Sequence, residues 1–436
     1  MIPFRFLHAA DLHLDSPFRG IADLPAIVRD RIKESTFLAL DRLVRIALQE
    51  RVDFVVISGD VYDLEDRSLR AQVRFQRAVE RLAERGVQVF VIHGNHDPEN
   101  GARAHLSWPE QVVFFGSDGV SMVPAVNRQG RTLAHVYGIS YAASAVTDNL
   151  ARGFTLQEKQ SRGREGIYNI GLLHTNVDGD PGHDNYAPCT KQELIRAGID
   201  YWALGHIHSR RVLHDNPLIV YPGNLQGRNI KETDAKGCFV VDVSDGGGTS
   251  LTFHAVDDLR WFKEDVDIQG LESEQQLKDR IEQRMDGLLR SSEGRPCIVR
   301  FTLTGRSPLY RSIQHSGLLQ ELQAEWRDRQ RELAEQGEEG FIWIESIEDR
   351  SGPLVDLALL ENQEGFLGEM LRQTTRLLKD ERLLEEFFRK AVKPISGNPR
   401  IARYLHTTGE TEWKQWLEAA REIAVEAFAD RKGWGE

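Results

Sequence analysis

Five short stretches of this sequence place carboxylate, imidazole and amide groups directly behind apolar runs. They are Asp11-Leu12-His13, Gly59-Asp60-Val61-Tyr62-Asp63, Gly94-Asn95-His96-Asp97, His174 within Leu172-Leu173-His174-Thr175, and Gly205-His206-Ile207-His208. Any one alone would be ordinary surface chemistry; five in this order form a strong joint signal. The residue types are those of a site for two divalent cations. Asp60 has two oxygens and can bridge two ions, and Asn95 offers a neutral carbonyl oxygen that needs no deprotonation. The set contains no thiolate. Its mixture of imidazole with carboxylate and amide oxygen favours Mn²⁺, Fe²⁺ or Zn²⁺ over a purely oxygen-seeking ion. In an extended segment the D-x-H spacing puts Asp11 and His13 on one face, and His206 and His208 likewise.

These groups can converge only if the apolar runs are strands whose carboxyl ends meet. Runs beginning at Phe4, Phe54, Val87, Val112, Ile167, Tyr201, Leu218 and Cys238 read as strands, with helical stretches at 26–50, 68–86 and 190–197 between them. Gly94 is expected to allow a tight or left-handed turn after the strand ending near Ile92. Asp97 either orients the His96 ring or caps amides of that turn. The alternation over 1–257 predicts an α/β layered domain, with a hairpin at 245–249 near its end. Residues 258–350 then read strand, helix, strand, helix, strand, a small α+β cap domain with strands near 261–268, 297–304 and 340–347. From 351 to 436 the chain reads as helical and charged, broken at Pro394 and Asn398-Pro399. Leu354, Leu357, Leu360, Phe366, Leu367 and Met370 begin an apolar face there, which must be buried within the chain or against a partner.

A length of 436 residues, 40% hydrophobic and 28% charged, fits a globular protein of roughly two or three domains. No apolar run is long enough for a membrane span. The start shows no secretory signal pattern, and the three cysteines are far apart, so a cytoplasmic location is expected. The net charge of −12 argues against nonspecific nucleic-acid binding by the whole chain. That charge is uneven: 1–250 hold 28 basic against 31 acidic residues, and 251–436 hold 27 against 36. The objection therefore falls mainly on the second part.

The pattern D-x-H, G-D-x-x-D, G-N-H-D, H, G-H-x-H resembles that of the calcineurin-like metallophosphoesterases. The longer stretches H8AADLHLD15, G59DVYDLEDR67, I92HGNHD97 and W202ALGHIH208 resemble the DNA-repair exonucleases of the SbcD type, especially their YhaO-like branch. The fold this implies is a layered β-sandwich flanked by helices, followed by the cap and the helical region. One metal would take Asp11, His13, Asp60 and His208, and the other Asp60, Asn95, His174 and His206, with manganese the expected ion. His96 would be the non-ligand histidine that assists the leaving oxygen. Some relatives carry a second active-site histidine where this chain has Asp63.

The activity implied is metal-dependent cleavage of DNA phosphodiesters, as exonuclease or endonuclease. The alternatives are a phosphoesterase of the same fold acting on nucleotides or other small phosphoesters, and a silent scaffold. The intact ligand set disfavours the scaffold. The implied partners are DNA and a coiled-coil ABC-type ATPase of the SbcC kind, with a homodimer also compatible. Two further features remain open. His183 and Tyr186, in the loop-forming stretch 178–187, either contact substrate or belong to a plain loop. Arg67, Arg70, Arg74, Arg77, Arg81 and Arg85 share one helix face, either solvated and balanced by Glu80 and Glu84 or set against DNA phosphates.

Overall fold

The computed structural model describes residues 1–18, 25–63, 68–101, 104–155, 167–180, 182–336, 340–354, 357–395, 397, 405 and 408–432. The chain divides into two compact units. The first comprises 1–264, 284–300 and 325–346, and the second 265–283, 301–324 and 347–436.

Two six-stranded sheets build the first unit. One has the order β12-β11-β1-β2-β3-β4, from β1 (Phe4–Ala9), β2 (Phe54–Ser58), β3 (Gln88–Ile92), β4 (Val112–Phe114), β11 (Gly237–Val243) and β12 (Thr249–Ala255). The other has the order β5-β6-β7-β8-β10-β9, from β5 (Ser121–Val126), β6 (Thr132–Gly138), β7 (Tyr168–His174), β8 (Tyr201–Gly205), β9 (Arg211–Asp215) and β10 (Leu218–Tyr221). β1 to β4 run parallel, as do β6, β7, β8 and β10, so their carboxyl ends lie at one end of each sheet.

Strand alternation explains the layering. Phe4, Phe6, Phe54, Val56, Phe90 and Ile92 point inward and form one buried cluster with Tyr168, Ile170, Leu172, Tyr201, Ala203 and Val220 of the second sheet. Phe6 stacks on Phe54 at 5.2 Å and meets Tyr201 edge-on at 5.1 Å. The other face of the first sheet, Leu7, Ala9, Val55, Ile57, Val89 and Val91, lies under α1 (Ala26–Gln49) and α2 (Leu69–Ala83). Residues buried on both faces read as continuous apolar runs, which is why these strands were legible. On the second sheet α3 (Lys191–Arg196) helps cover the outer face, with Leu194 packed among Leu173, Trp202 and Leu204. The layered sandwich flanked by helices is the expected fold. Three strands escaped the sequence reading, β5, β6 and β9; β5 and β9 are edge strands, largely solvated, with little apolar pattern.

Residues beyond 257 also complete the first unit. Trp261, Ile298, Phe341 and Trp343 join Val28 and Ile32 of α1 in one buried cluster. Asp258 accepts from Arg31 at 2.6 and 2.7 Å and from Arg42 at 2.8 Å, and Asp257 accepts from Arg260 at 2.7 Å. The strand-helix-strand-helix-strand reading of 260–350 appears as β13 (Arg260–Asp267), α4 (Glu274–Ser291), β14 (Cys297–Thr304), α6 (Leu318–Glu335) and β16 (Ile342–Asp349), the strands forming a sheet in the order β13-β14-β16. Between them lie β15 (Arg306–Ser307) and α5 (Tyr310–His315), and β15 pairs with β17 (Gly352–Pro353).

The helical region follows as α7 (Leu357–Glu361), α8 (Phe366–Lys379), α9 (Glu381–Val392) and a last helix, Glu410–Lys432. Its apolar face is used in part within the chain. Leu360, Leu371 and Val425 are buried together, with Leu357, Leu367 and Met370 packed beside them. Among the described residues, no helix is long and apolar enough to cross a membrane.

Candidate metal centre

Five of the parallel strands, β1, β2, β3, β7 and β8, deliver polar groups within a few residues of their last buried position. Asp11 and His13 follow β1, Asp60 and Asp63 follow β2, and Asn95 and His96 follow β3, while His174 ends β7 and His206 and His208 follow β8. The mechanism of convergence is not strand alternation. Asp11, His13, Asp60 and His206 have φ of 52, 42, 51 and 100°, in the left-handed region that most residues avoid. The chain turns sharply at each strand end, and the turns are tied together: Asp11 N donates to Gly59 O at 3.1 Å and His13 N to Asp60 O at 3.0 Å. Such conformations persist only where surrounding structure holds them, and they concentrate at functional sites.

Hydrogen bonds to one ring nitrogen of each candidate ligand histidine decide which nitrogen is free. His13 Nδ1 lies 2.7 Å from Asp63 Oδ1 and His208 Nδ1 lies 2.8 Å from Glu232 Oε1, so both donate there. Their Nε2 lone pairs then face each other at 3.2 Å. Two lone pairs at that distance repel unless a cation lies between them. Two imidazoles bound to one ion at ~2.1 Å would hold their nitrogens at about this spacing. His174 repeats the arrangement. Its Nδ1 donates to Ser58 O at 2.9 Å, which leaves Nε2 facing Asn95 Oδ1 at 3.0 Å and Asp60 Oδ2 at 3.4 Å. His206 is turned the other way: Nε2 donates to Asp184 O at 2.8 Å, which leaves Nδ1 as its free nitrogen.

The electrostatics agree. Asp11 and Asp60 are both buried, and burial pushes the Asp11 carboxyl up to about 6. Asp60, although burial opposes it, is held well below the usual carboxylate range by His174 and by its other imidazole neighbours. Burial works against a charged His174, yet Asp60 and Asp11 raise it to about 9, so a proton held on Nε2 among these carboxylates must leave when a cation takes its place. Burial lowers His208 to about 3 and His206 to about 4, keeping both rings neutral as metal binding requires. Ligand atoms of Asp11, His13 and His208, and those of Asp11, Asp60 and His174, lie within 4.8 Å of one another. The donors present therefore fit divalent ions.

Residues 4–210 match the model of the calcineurin-like phosphoesterases, and 261–352 match that of the middle domain of metallophosphoesterase YhaO. The chain is 38% identical over 372 residues to the uncharacterized metallophosphoesterase YhaO of Bacillus subtilis (strain 168), covering 85% of this chain and 87% of that protein. The chain belongs to the calcineurin-like phosphoesterase family. As a calcineurin-like phosphoesterase it is a metal-binding hydrolase of phosphoesters, and its His and Asp clusters suit divalent ions.

In this phosphoesterase the turn after β3 works differently from the sequence expectation. Gly94 has no positive φ; a Cβ there would meet Asp60 Oδ1 at 2.3 Å and the His174 ring at 2.8 Å. Close approach, not turn freedom, demands the glycine. Asp97 takes the capping role. Its Oδ1 accepts from Gly94 N at 2.7 Å and Asp60 N at 3.2 Å, and its Oδ2 from Val61 N at 3.0 Å. The carboxylate on His96 is that of Asp63, whose Oδ1 lies 3.0 Å from His96 Nδ1. Asp63 thus holds two imidazoles, those of His13 and His96.

Sequence reasoning missed Glu232 and Arg228. Buried Glu232 fixes His208, and its Oε2 accepts from Asn224 Nδ2 at 2.9 Å and Arg228 N at 2.8 Å. Arg228 lies 3.7 Å from Asp63 and 3.5 Å from Glu232, a cation shared by the two carboxylates that orient His13 and His208. Their only sequence signal is a basic and an acidic residue four apart in an irregular segment. Carboxylates behind ligand histidines typically contribute 10- to 100-fold in metal affinity. Glu232→Gln is therefore expected to weaken binding at the His208 side by about that factor. Mn²⁺ titration by calorimetry reads it, and two unchanged affinities would contradict the role.

Three arginines of this face, Arg70, Arg74 and Arg81, are engaged by α1. Arg70 pairs with Glu34, Arg74 lies 3.4 Å and Arg81 2.8 Å from Asp41, and the Arg70 and Arg74 guanidiniums sit over Phe37 at 4.6 and 4.8 Å. The balancing acids found are those of α1, where Glu80 and Glu84 were expected, and Arg67 lies outside the described residues.

Proposed function

We propose that this phosphoesterase is a two-metal phosphodiesterase that cleaves DNA. The observation that carries the reading is His96. Its ring is braced on Asp63 at 3.0 Å while the side chain is 41% exposed, beside buried ligands. It lines a cavity of about 340 Å³ with Asp60, Asn95, His183, Asp184, His206 and His208. A diester needs a proton delivered to an alkoxide leaving group, and a protonated imidazole on the cavity wall is suited to that. Against the effect of burial, Asp63 and Asp60 raise His96 to about 9, which keeps it charged at neutral pH.

Asp11, His13, Asp60 and His208 would hold one ion, and Asp60, Asn95, His174 and His206 the other. When bound, the pair supplies Lewis acidity for a phosphoryl oxygen and makes water a better nucleophile near neutral pH. The protein's own part is to fix the ligand rings through Asp63, Glu232 and the Ser58 carbonyl. It also holds the proton of His96 on the cavity side. DNA as substrate is supported by the stretches shared with SbcD-type exonucleases. The same likeness supports a partnership with an ABC-type ATPase through the region after 351, where Leu354 and Ile423 remain 65% and 66% exposed.

The test is hydrolysis of linear DNA, bis-(p-nitrophenyl) phosphate and nucleotides, side by side in Mn²⁺. Release of nucleotides from DNA together with diester cleavage is the expected result. Diester cleavage without any action on DNA would favour the small-phosphoester reading.

A further inference from the structure

We infer that His183 is a second substrate-binding imidazole, donating a hydrogen bond to a non-bridging oxygen of the scissile phosphate. The inference rests on the phosphodiesterase reading above. His183 lines the same cavity as Asp60, Asn95 and His96. Its ring meets those of His206 and His208 edge-on, with centroids 5.6 and 5.3 Å away, whereas His96 packs on His13 at 4.8 Å. The two imidazoles thus approach the cavity from different ligand pairs.

The backbone around His183 is built to hold it there. Asn176, fully buried, accepts from Asp180 N at 2.7 Å through Oδ1, and its Nδ2 donates to the Asp180 and Asp184 carbonyls, both at 3.2 Å. Asp180 Oδ1 accepts from Gly182 N at 2.9 Å, and Asp180 Oδ2 accepts from Arg211 at 2.5 Å. The Asp184 carbonyl in turn receives the His206 Nε2 proton at 2.8 Å. His183 therefore sits between two anchors, one of them a metal ligand's own hydrogen bond. A plain surface loop needs no such double fixation; a residue that must meet a phosphate in register with two metals does.

A hydrogen bond to a charged group is typically worth about 10- to 100-fold in binding. If it forms with the bound substrate and persists in the transition state, its loss appears in KM. His183→Ala in the full chain, loaded with Mn²⁺, is expected to raise KM for bis-(p-nitrophenyl) phosphate about 10- to 100-fold, with kcat within about threefold. Two ions per chain should remain. His183→Asn keeps a side-chain donor and should recover much of the loss. Inorganic phosphate titrated into the Mn²⁺-loaded protein gives a reading independent of turnover, and it should bind about tenfold more weakly or worse to His183→Ala. An unchanged KM and phosphate affinity, or the loss of an ion, overturns the inference. A wild-type protein that binds phosphate but cleaves no diester would instead overturn the phosphodiesterase reading.

Discussion

His96→Ala is expected to keep both metal ions and lose about 10²- to 10⁴-fold in the rate of DNA cleavage. Metal retention follows from geometry. The His96 backbone N donates to Asp60 Oδ1 at 2.9 Å, and an alanine preserves that bond. What disappears is the imidazole, and with it the proton for the leaving oxygen. The deficit should shrink when the leaving group is p-nitrophenolate, which departs without protonation. The pH profile carries a sign. A raised histidine pKa means that the acid form is present below that value and is lost as pH rises through it. Activity dependent on His96 should therefore fall on the alkaline side, at or below about 9, since cations on Asp60 remove part of the support for the charged ring. Asp63→Asn should move that limb further down. A metal analysis showing one ion missing from His96→Ala would make His96 a ligand and contradict its role, a serious alternative because its ring nitrogen lies within 4.8 Å of ligand atoms of His13 and Asp60.

Asp60→Ala should abolish activity through the opposite route, by loss of metal. Asp60 Oδ2 is 3.4 Å from His174 Nε2 and 3.7 Å from His13 Nε2, so one carboxylate faces a nitrogen of each proposed ligand set. A ligand that binds only the folded state at one hundred times its Kd stabilises it by about 2.7 kcal/mol. Mn²⁺ should therefore raise the melting temperature of the wild type by several degrees and leave that of Asp60→Ala nearly unchanged. An Asp60→Ala protein that retains both ions and the thermal shift would remove Asp60 from the centre of the site.

β1, β2, β3, β7 and β8 are buried along most of their length, so each appears in sequence as a largely apolar run, interrupted at Arg5 and His8 in β1 and at Asn169 in β7, and the chemistry follows where the run stops. His174 is the clearest case, the last residue of its strand. The left-handed turns at Asp11, His13 and Asp60 carry no sequence mark, because an aspartate or histidine with positive φ looks like any other; extended geometry was the natural but incorrect reading. Gly94 reads in sequence as a turn residue, while the structure requires its lack of a Cβ. Glu232 and Arg228 lie in an irregular segment with no periodicity to recommend them, and only the fold brings them against His208 and Asp63. The arginine face of α2 was visible as a helical spacing, but its counter-charges Glu34 and Asp41 belong to a helix about thirty to forty residues earlier. Long-range pairing of that kind is set by packing and not by local pattern.

Seven side chains, with the Asp60 carboxylate bridging among them, make the proposed two-ion centre. Crystals soaked in Mn²⁺ and measured for anomalous scattering test it most directly. Two peaks are predicted, one among Asp11, His13 and His208 and the other among Asn95, His174 and His206, with Asp60 within bonding distance of both. A single peak, or none near Asp60, would contradict the account.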